Sequence, residues 1–272
     1  MNKRCLMIES DKVVELERDG PALRIRATHR SRQWFPLRRI SRIICIGLPS
    51  LGLKGLSQTA QEGIPVNFMT DGGELIAQLV HPGALPIPFT HWIEAIDTEP
   101  DLLGVYNQWL ENQLIRTYAM LGCMACSPEQ AALKAETQLA KIFKKQKRGR
   151  LPSQARIWFK SLQFAQIQTS LTRLGLSASN RHLTRICNDL AHPALMLSLT
   201  SLFLRLPPEA TLEGVDIPLF YEKCLSADID LWITKALYTL SEQLEVSGML
   251  QNSPRHKLRY ENHAPTTLSR LL

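Results

Sequence analysis

Near residue 82 the apolar pattern of the chain changes period, and that change restricts the fold more than any other feature. From Cys5 to Val80 the apolar residues fall in short runs bounded by turn signals. Val13, Val14 and Leu16 stop at Asp19-Gly20-Pro21, Leu23 and Ile25 alternate with Arg24 and Arg26, and Ile43-Ile44-Cys45-Ile46 stops at Gly47. Period-two runs at this spacing predict strands of a small sheet or sandwich. One stretch departs from the pattern: Leu53, Leu56 and Ala60 have helical spacing and end at Gly63. The run Pro65 to Met69, the turn Asp71-Gly72-Gly73 and the run Leu75 to Val80 then close the strand-rich part.

A proline-rich bridge from His81 to Phe89 fits neither period and reads as a linker. Beyond it the spacing is helical over Leu102–Leu121, Pro128–Lys145, Pro152–Leu174, Arg181–Leu204, Pro218–Cys224 and Asp228–Leu244. Ser127-Pro128-Glu129 places a capping serine ahead of a proline at the first helical position. The expected class is α+β, a β-sandwich-like N-terminal domain followed by an all-helical C-terminal domain. The divisions are a β-rich unit over 1–82, a linker over 83–99, a helical unit over 100–250, and a basic, partly disordered tail over 251–272.

Charge narrows the partners. Lys and Arg outnumber Asp and Glu by 32 to 25, giving a net charge of +7, which favours an anionic partner. The densest cluster is Lys141, Lys144, Lys145, Lys147, Arg148, Arg150, Arg156 and Lys160, with no acidic residue among them. Such a run binds phosphates by releasing counterions, whereas a merely solvated face carries interspersed Glu. A second set, Arg24, Arg26, Arg30, Arg32, Arg38, Arg39 and Arg42, surrounds Trp34, which reads as a core residue or subunit contact before a base-stacking one.

Several chemistries lose their support. The six cysteines are too sparse for a disulfide framework, which points to a reducing, cytoplasmic setting. Cys123 and Cys126 form a CxxC pair without the second pair that zinc needs. The start of the chain lacks a secretory pattern, and no apolar stretch is long enough to span a membrane. Walker, GxGxxG, GxSxG and HExxH patterns are absent.

The order of motifs is more specific than any of these. Trp34-Phe35-Pro36-Leu37-Arg38-Arg39-Ile40, then Ile43 to Gly47, a short helix, Glu62-Gly63-Ile64-Pro65-Val66-Asn67-Phe68-Met69 and Asp71-Gly72-Gly73 together resemble the CRISPR adaptation integrase family. The resemblance is good over residues 10 to 80 and thinner over 100 to 205. It implies the two-domain fold, a homodimer, double-stranded DNA as partner, and a second adaptation protein or another defence subunit beside it.

Members of that family hold a divalent metal, Mg²⁺ or Mn²⁺, with a glutamate, a histidine from a GLDPxxGFLH segment and an acid from a DLxEPFRP segment. Leu174-Gly175-Leu176-Ser177 with His182 resembles the first segment, and Asp189-Leu190-Ala191-His192-Pro193 the second. The resemblance therefore assigns metal or catalytic positions to Glu129, His182 and His192, with Asp189 beside them. Glu136 and Glu111 are the other candidates for the glutamate. The departures matter: His192 stands where the family has its acid, and the spacing around His182 is compressed. Imidazole in place of carboxylate removes a negative charge from a site meant for a hard cation. The expectation is an eroded site that holds no metal, in a protein that binds DNA for spacer acquisition in an accessory or scaffolding role. The alternative is an active metal-dependent endonuclease or integrase.

Overall fold

A computed structural model describes residues 3–49, 52–81, 93–122, 127–145, 153–176, 180–205, 215–244 and 247. Four strands, β1 (Arg4–Glu9), β5 (Ile40–Ile46), β6 (Val66–Met69) and β7 (Leu75–Leu79), form one sheet in the order β1-β5-β6-β7. Its first three strands run parallel, and β7 returns antiparallel to β6. The crossover from β1 to β5 is itself a sheet, the antiparallel meander β2 (Val13–Asp19), β3 (Ala22–Ala27) and β4 (Gln33–Pro36). Helix α1 (Leu53–Gln61) makes the second crossover, from β5 to β6. The strand-rich half is thus a sandwich of one mixed and one antiparallel sheet.

The run Ile43-Ile44-Cys45-Ile46 is continuously apolar because both faces of β5 are covered. Ile43 and Cys45 point between the sheets, with Leu16, Leu23, Val66 and Phe68. Ile44 and Ile46 point the other way, with Cys5, Met7 and Met69, onto the helices. This outer face of the mixed sheet belongs to the same core as Tyr118, Phe159, Met196 and Tyr221. The two halves therefore share a core.

The helices that follow include α2 (Pro100–Met120), α3 (Pro128–Lys145), α4 (Ser153–Arg173), α5 (Arg181–Arg205), α6 (Ile217–Cys224) and α7 (Ser226–Leu244). Ser127 Oγ accepts from the Gln130 N–H at 3.3 Å and caps α3. Asp216 caps α6 through the Leu219 N–H at 3.0 Å. Residues 93–99 do not behave as the end of a linker: Ile93 and Ile96 are buried in the helical core with Trp109, Ile186 and Ile233. Residues 82–92, most of the expected linker, lie outside the described residues, as do Cys123, Cys126 and the tail from 248. Cys5, Cys45, Cys187 and Cys224 are free thiols. Among the described residues no helix is long and apolar enough to cross a membrane.

Polar contacts fasten the sheet to the helices. Gln78 Nε2 on β7 donates to Asn67 Oδ1 and to the Ala165 carbonyl of α4, both at 2.8 Å. Gly73, at φ +90°, lies so close to Trp158 that a Cβ there would fall 2.4 Å from the indole, so the β6–β7 turn rests directly on α4. Arg42 of β5 reaches Asp230 at 3.2 Å and Glu222 at 3.6 Å. These contacts fasten the strand-rich half to α4, α6 and α7.

Candidate functional site

Helix α5 carries three of the four residues singled out for chemistry, and its geometry separates them. Asp189 and His192 are three residues apart and share a face. His182 lies ten residues before His192, roughly 15 Å along the axis. Pro193 sits within the helix and has no N–H to offer the Asp189 carbonyl, so the backbone ladder is interrupted at this turn.

His182 is buried at the start of α5, with Nε2 3.6 Å from Asp97. Burial holds its pKa below the ordinary histidine value against the pull of Asp97, so the ring is neutral. Asp97 also receives Arg181 at 2.7 Å and Arg185 at 3.5 Å. His182 thus helps pin segment 93–99 to α5 and takes no part in a site at His192.

Asp189 is already engaged. Tyr106 of α2 donates its hydroxyl to Asp189 Oδ2 at 2.6 Å, and Arg185 lies 4.8 Å over the Tyr106 ring. Burial, then the bond to Asp189, pushes the Tyr106 phenol far above its usual range, so it stays a donor.

His192 is held from two sides. Tyr118, near the end of α2, lies 2.5 Å from Nδ1, and Glu136 Oε1 of α3 lies 3.4 Å from Nε2. Burial and the Glu136 carboxylate push the Tyr118 phenol up to about 12, so its hydroxyl keeps its proton and donates to Nδ1. With Nδ1 accepting, a hydrogen on Nε2 faces the carboxylate. His192 and Glu136 are 41% and 46% exposed, so the pair opens to solvent while the tyrosine beneath it is buried.

The glutamate that meets His192 is Glu136; Glu129 lies two turns earlier on α3, about 10 Å away along the axis. Glu129 is exposed in the first turn, where its own backbone N–H and then the Ser127 hydroxyl hold its carboxyl below the usual range. That is a helix-start role, legible in Ser127-Pro128-Glu129. Glu136 follows Ala135 on the buried stripe Ala131, Ala135 and Leu139, so it lies at the margin of the face turned to the core. Glu111 is exposed on α2.

The donors that meet are one imidazole nitrogen and one carboxylate. Among the described residues no group of three or more His, Cys, Asp and Glu side chains comes together. A hard Mg²⁺ or Mn²⁺ favours several oxygen ligands, so the residues that meet here do not fit such an ion.

The basic clusters differ in their pairing. Arg24, Arg26 and Arg32 all face Glu15, at 3.0 to 3.3 Å, and Arg24 also meets Glu17. That set is an ion-paired sheet face. Trp34 is not a core residue: it is 53% exposed on the short strand β4 and donates its indole N–H to Asp19 at 2.9 Å. On the helices, Lys141, Arg156 and Lys160 are exposed, and none is in an ion pair among the described residues. Lys144 and Lys145 fall in the last turn of α3, while Lys147, Arg148 and Arg150 lie outside the described residues.

Comparison with known proteins places this architecture. Solved structures with the same fold include a Cas1 protein from Thermotoga maritima, at 13% identity and a TM-score of 0.59, covering 88% of this chain and 96% of that one. A casposase bound to integration product matches at 12% identity and a TM-score of 0.56, covering 100% and 98%. A Cas1 protein in complex with DNA matches at 13% identity and a TM-score of 0.52, covering 96% of each chain. Curated protein sequences give no match. The family model for CRISPR associated protein Cas1 matches residues 7–148, just over half of the chain, and with the sandwich, the shared core and the helical array described above it establishes that this chain belongs to the Cas1 family.

Proposed function

We propose that this chain is a DNA-holding Cas1-family protein that serves spacer acquisition as an accessory or scaffolding subunit, with its metal-dependent chemistry lost. The observation that carries this reading is the donor set at His192. An imidazole takes the position of the family's acid, Glu136 is the one carboxylate facing it among the described residues, and the next acid on α5 is committed to Tyr106. Without a divalent cation, nothing at this site offsets the charge that builds on a phosphodiester under attack.

DNA binding is supported from two sides. Lys141, Arg156 and Lys160 leave positive charge free on α3 and α4, at either end of the basic run. Two structural relatives were solved with an integration product and with DNA. Contacts of this kind go to phosphates, so binding is weakly sequence-specific and steeply salt-dependent.

The test is paired. Duplex binding is measured against salt for the natural chain and for a K141E/R156E/K160E variant, and strand cleavage and joining are assayed with Mg²⁺ and with Mn²⁺. The expected result is binding whose salt slope falls by about 0.9 per lost phosphate contact, without cleavage or joining. Mg²⁺-dependent strand joining that is lost on Glu136→Ala would place the enzyme reading first.

A further inference from the structure

The cations at one end of the mixed sheet lack the partners that those of the meander have. Arg24, Arg26 and Arg32 are met by carboxylates. Parallel pairing sets Arg4 of β1 opposite Ile40 of β5, which brings Lys3 and Arg4 alongside Arg38 and Arg39. All four are exposed, and among the described residues none is joined to an acid. The strand register itself therefore builds an uncompensated basic cluster.

A cleft of about 740 Å³ opens on this cluster, between the β2–β3 turn, the helical turn after β4 and the end of α1. Lys3, Arg18 and Arg38 line it, and Glu62 is its one acid among the described residues. Glu62 pairs with Arg18 at 2.7 Å, which leaves Lys3 and Arg38 uncompensated inside. The remaining walls are backbone and apolar side chains, notably Pro21, Leu37 and Ile64. Its volume is in the range that encloses a ligand or a short segment of chain.

We propose that this cleft is a docking site for an acidic, leucine-bearing segment of a partner protein. Two features favour a peptide over nucleic acid. Single strands are held by stacking bases on aromatic side chains, and among the described residues no aromatic one lines the cleft. A duplex has no apolar protrusion to place against Pro21, Leu37 and Ile64, whereas a peptide that alternates acid and leucine satisfies the cations and the walls together. The chain's own last residues have the wrong sign, with Arg255, Lys257, Arg259 and Arg270 against Glu261 alone. The proposal does not depend on how the His192 site is read.

Fluorescence polarisation tests it, with a labelled peptide alternating Glu and Leu as probe. An all-Glu peptide, a Lys–Leu peptide and a labelled DNA duplex serve as comparisons. The Glu–Leu peptide should bind the full chain, the all-Glu peptide more weakly and the Lys–Leu peptide not at all. K3E/R38E/R39E should weaken the Glu–Leu peptide at least about tenfold, the milder K3A/R38A part of the way, and both variants should keep the duplex affinity and melting temperature of the natural chain. Equal peptide binding by the natural chain and both variants would overturn the proposal. So would absence of peptide binding together with loss of duplex affinity in the variants, which would make the cluster a nucleic-acid surface.

Discussion

Arg42→Met removes the cation that joins the sheet to the helices, and its cost follows from what is left behind. The Arg42 and Glu222 side chains are 9% and 7% exposed, whereas Asp230 is half-exposed and can turn to water. Arg42 Nε and Glu222 Oε1 have no hydrogen-bond partner, so the pair is held by charge at 3.6 Å. Removing one member of a buried pair costs about 3 to 5 kcal/mol, because the other stays uncompensated. Burial already pushes the Glu222 carboxyl above its usual range against the pull of Arg42, and losing the arginine pushes it further.

A carboxyl whose folded pKa is raised favours the fold fully below its unfolded value, about pH 4.3, and loses that contribution as pH climbs to the folded value. The loss of stability in Arg42→Met should therefore be larger at pH 8 than at pH 5. Adding Glu222→Gln should recover all but about 1 to 2 kcal/mol, since the uncompensated charge goes with it. Guanidinium unfolding of the natural chain, both single variants and the double variant at the two pH values completes the cycle. A coupling below about 0.5 kcal/mol, with equal losses at pH 5 and pH 8, would refute the reasoning.

Three further outcomes are expected. His192→Glu places a second carboxylate opposite Glu136, so millimolar Mg²⁺ should raise the melting temperature of that variant and leave the natural chain unmoved; equal shifts would refute the account of the donor set. Gly73→Ala forces a side chain both into the left-handed region and onto Trp158, and should cost about 3 kcal/mol in urea unfolding, well above an exposed turn substitution. Tyr118→Phe removes only the hydroxyl bond to a half-exposed imidazole, so it should cost about 1 kcal/mol in urea unfolding; an unchanged stability would refute the bond to Nδ1.

Periodicity carried most of the fold. Helix α3 occupies Pro128–Lys145 as its spacing predicts, and α5 ends one residue beyond the predicted Leu204. The parallel pairing of β1 with β5 was not legible, because apolar alternation fixes which face a residue takes and leaves its neighbouring strand open. The shared core was hidden for a related reason. The run Ile43 to Ile46 announces a strand covered on both faces, but it does not say that one cover is helical.

At the candidate site, the Asp-Leu-x-x-Pro pattern points to the turn of α5 that holds His192, and the carboxylate that meets it there is Glu136, the alternative to Glu129. The capping sequence before Glu129 drew attention to a carboxylate whose work is local. Glu136 carries no flanking signal of its own, and only the packing of α3 against α5 brings it to His192.

Fold and chemistry separate in this chain because different residues carry them. The architecture rests on apolar stripes such as Leu183, Ile186 and Leu190 of α5, packed with Ile93 and Ile233, and on Trp158 beneath Gly73. A metal centre needs charge at one turn, and there His192 is accommodated without penalty: Tyr118 supplies a donor to Nδ1 and Glu136 an acceptor for Nε2, so both ring nitrogens are satisfied. A buried polar group left without partners would have cost stability and been legible as a defect. A half-exposed imidazole with two partners costs nothing of that kind, so the fold accepts an imidazole at this turn independently of any chemistry there.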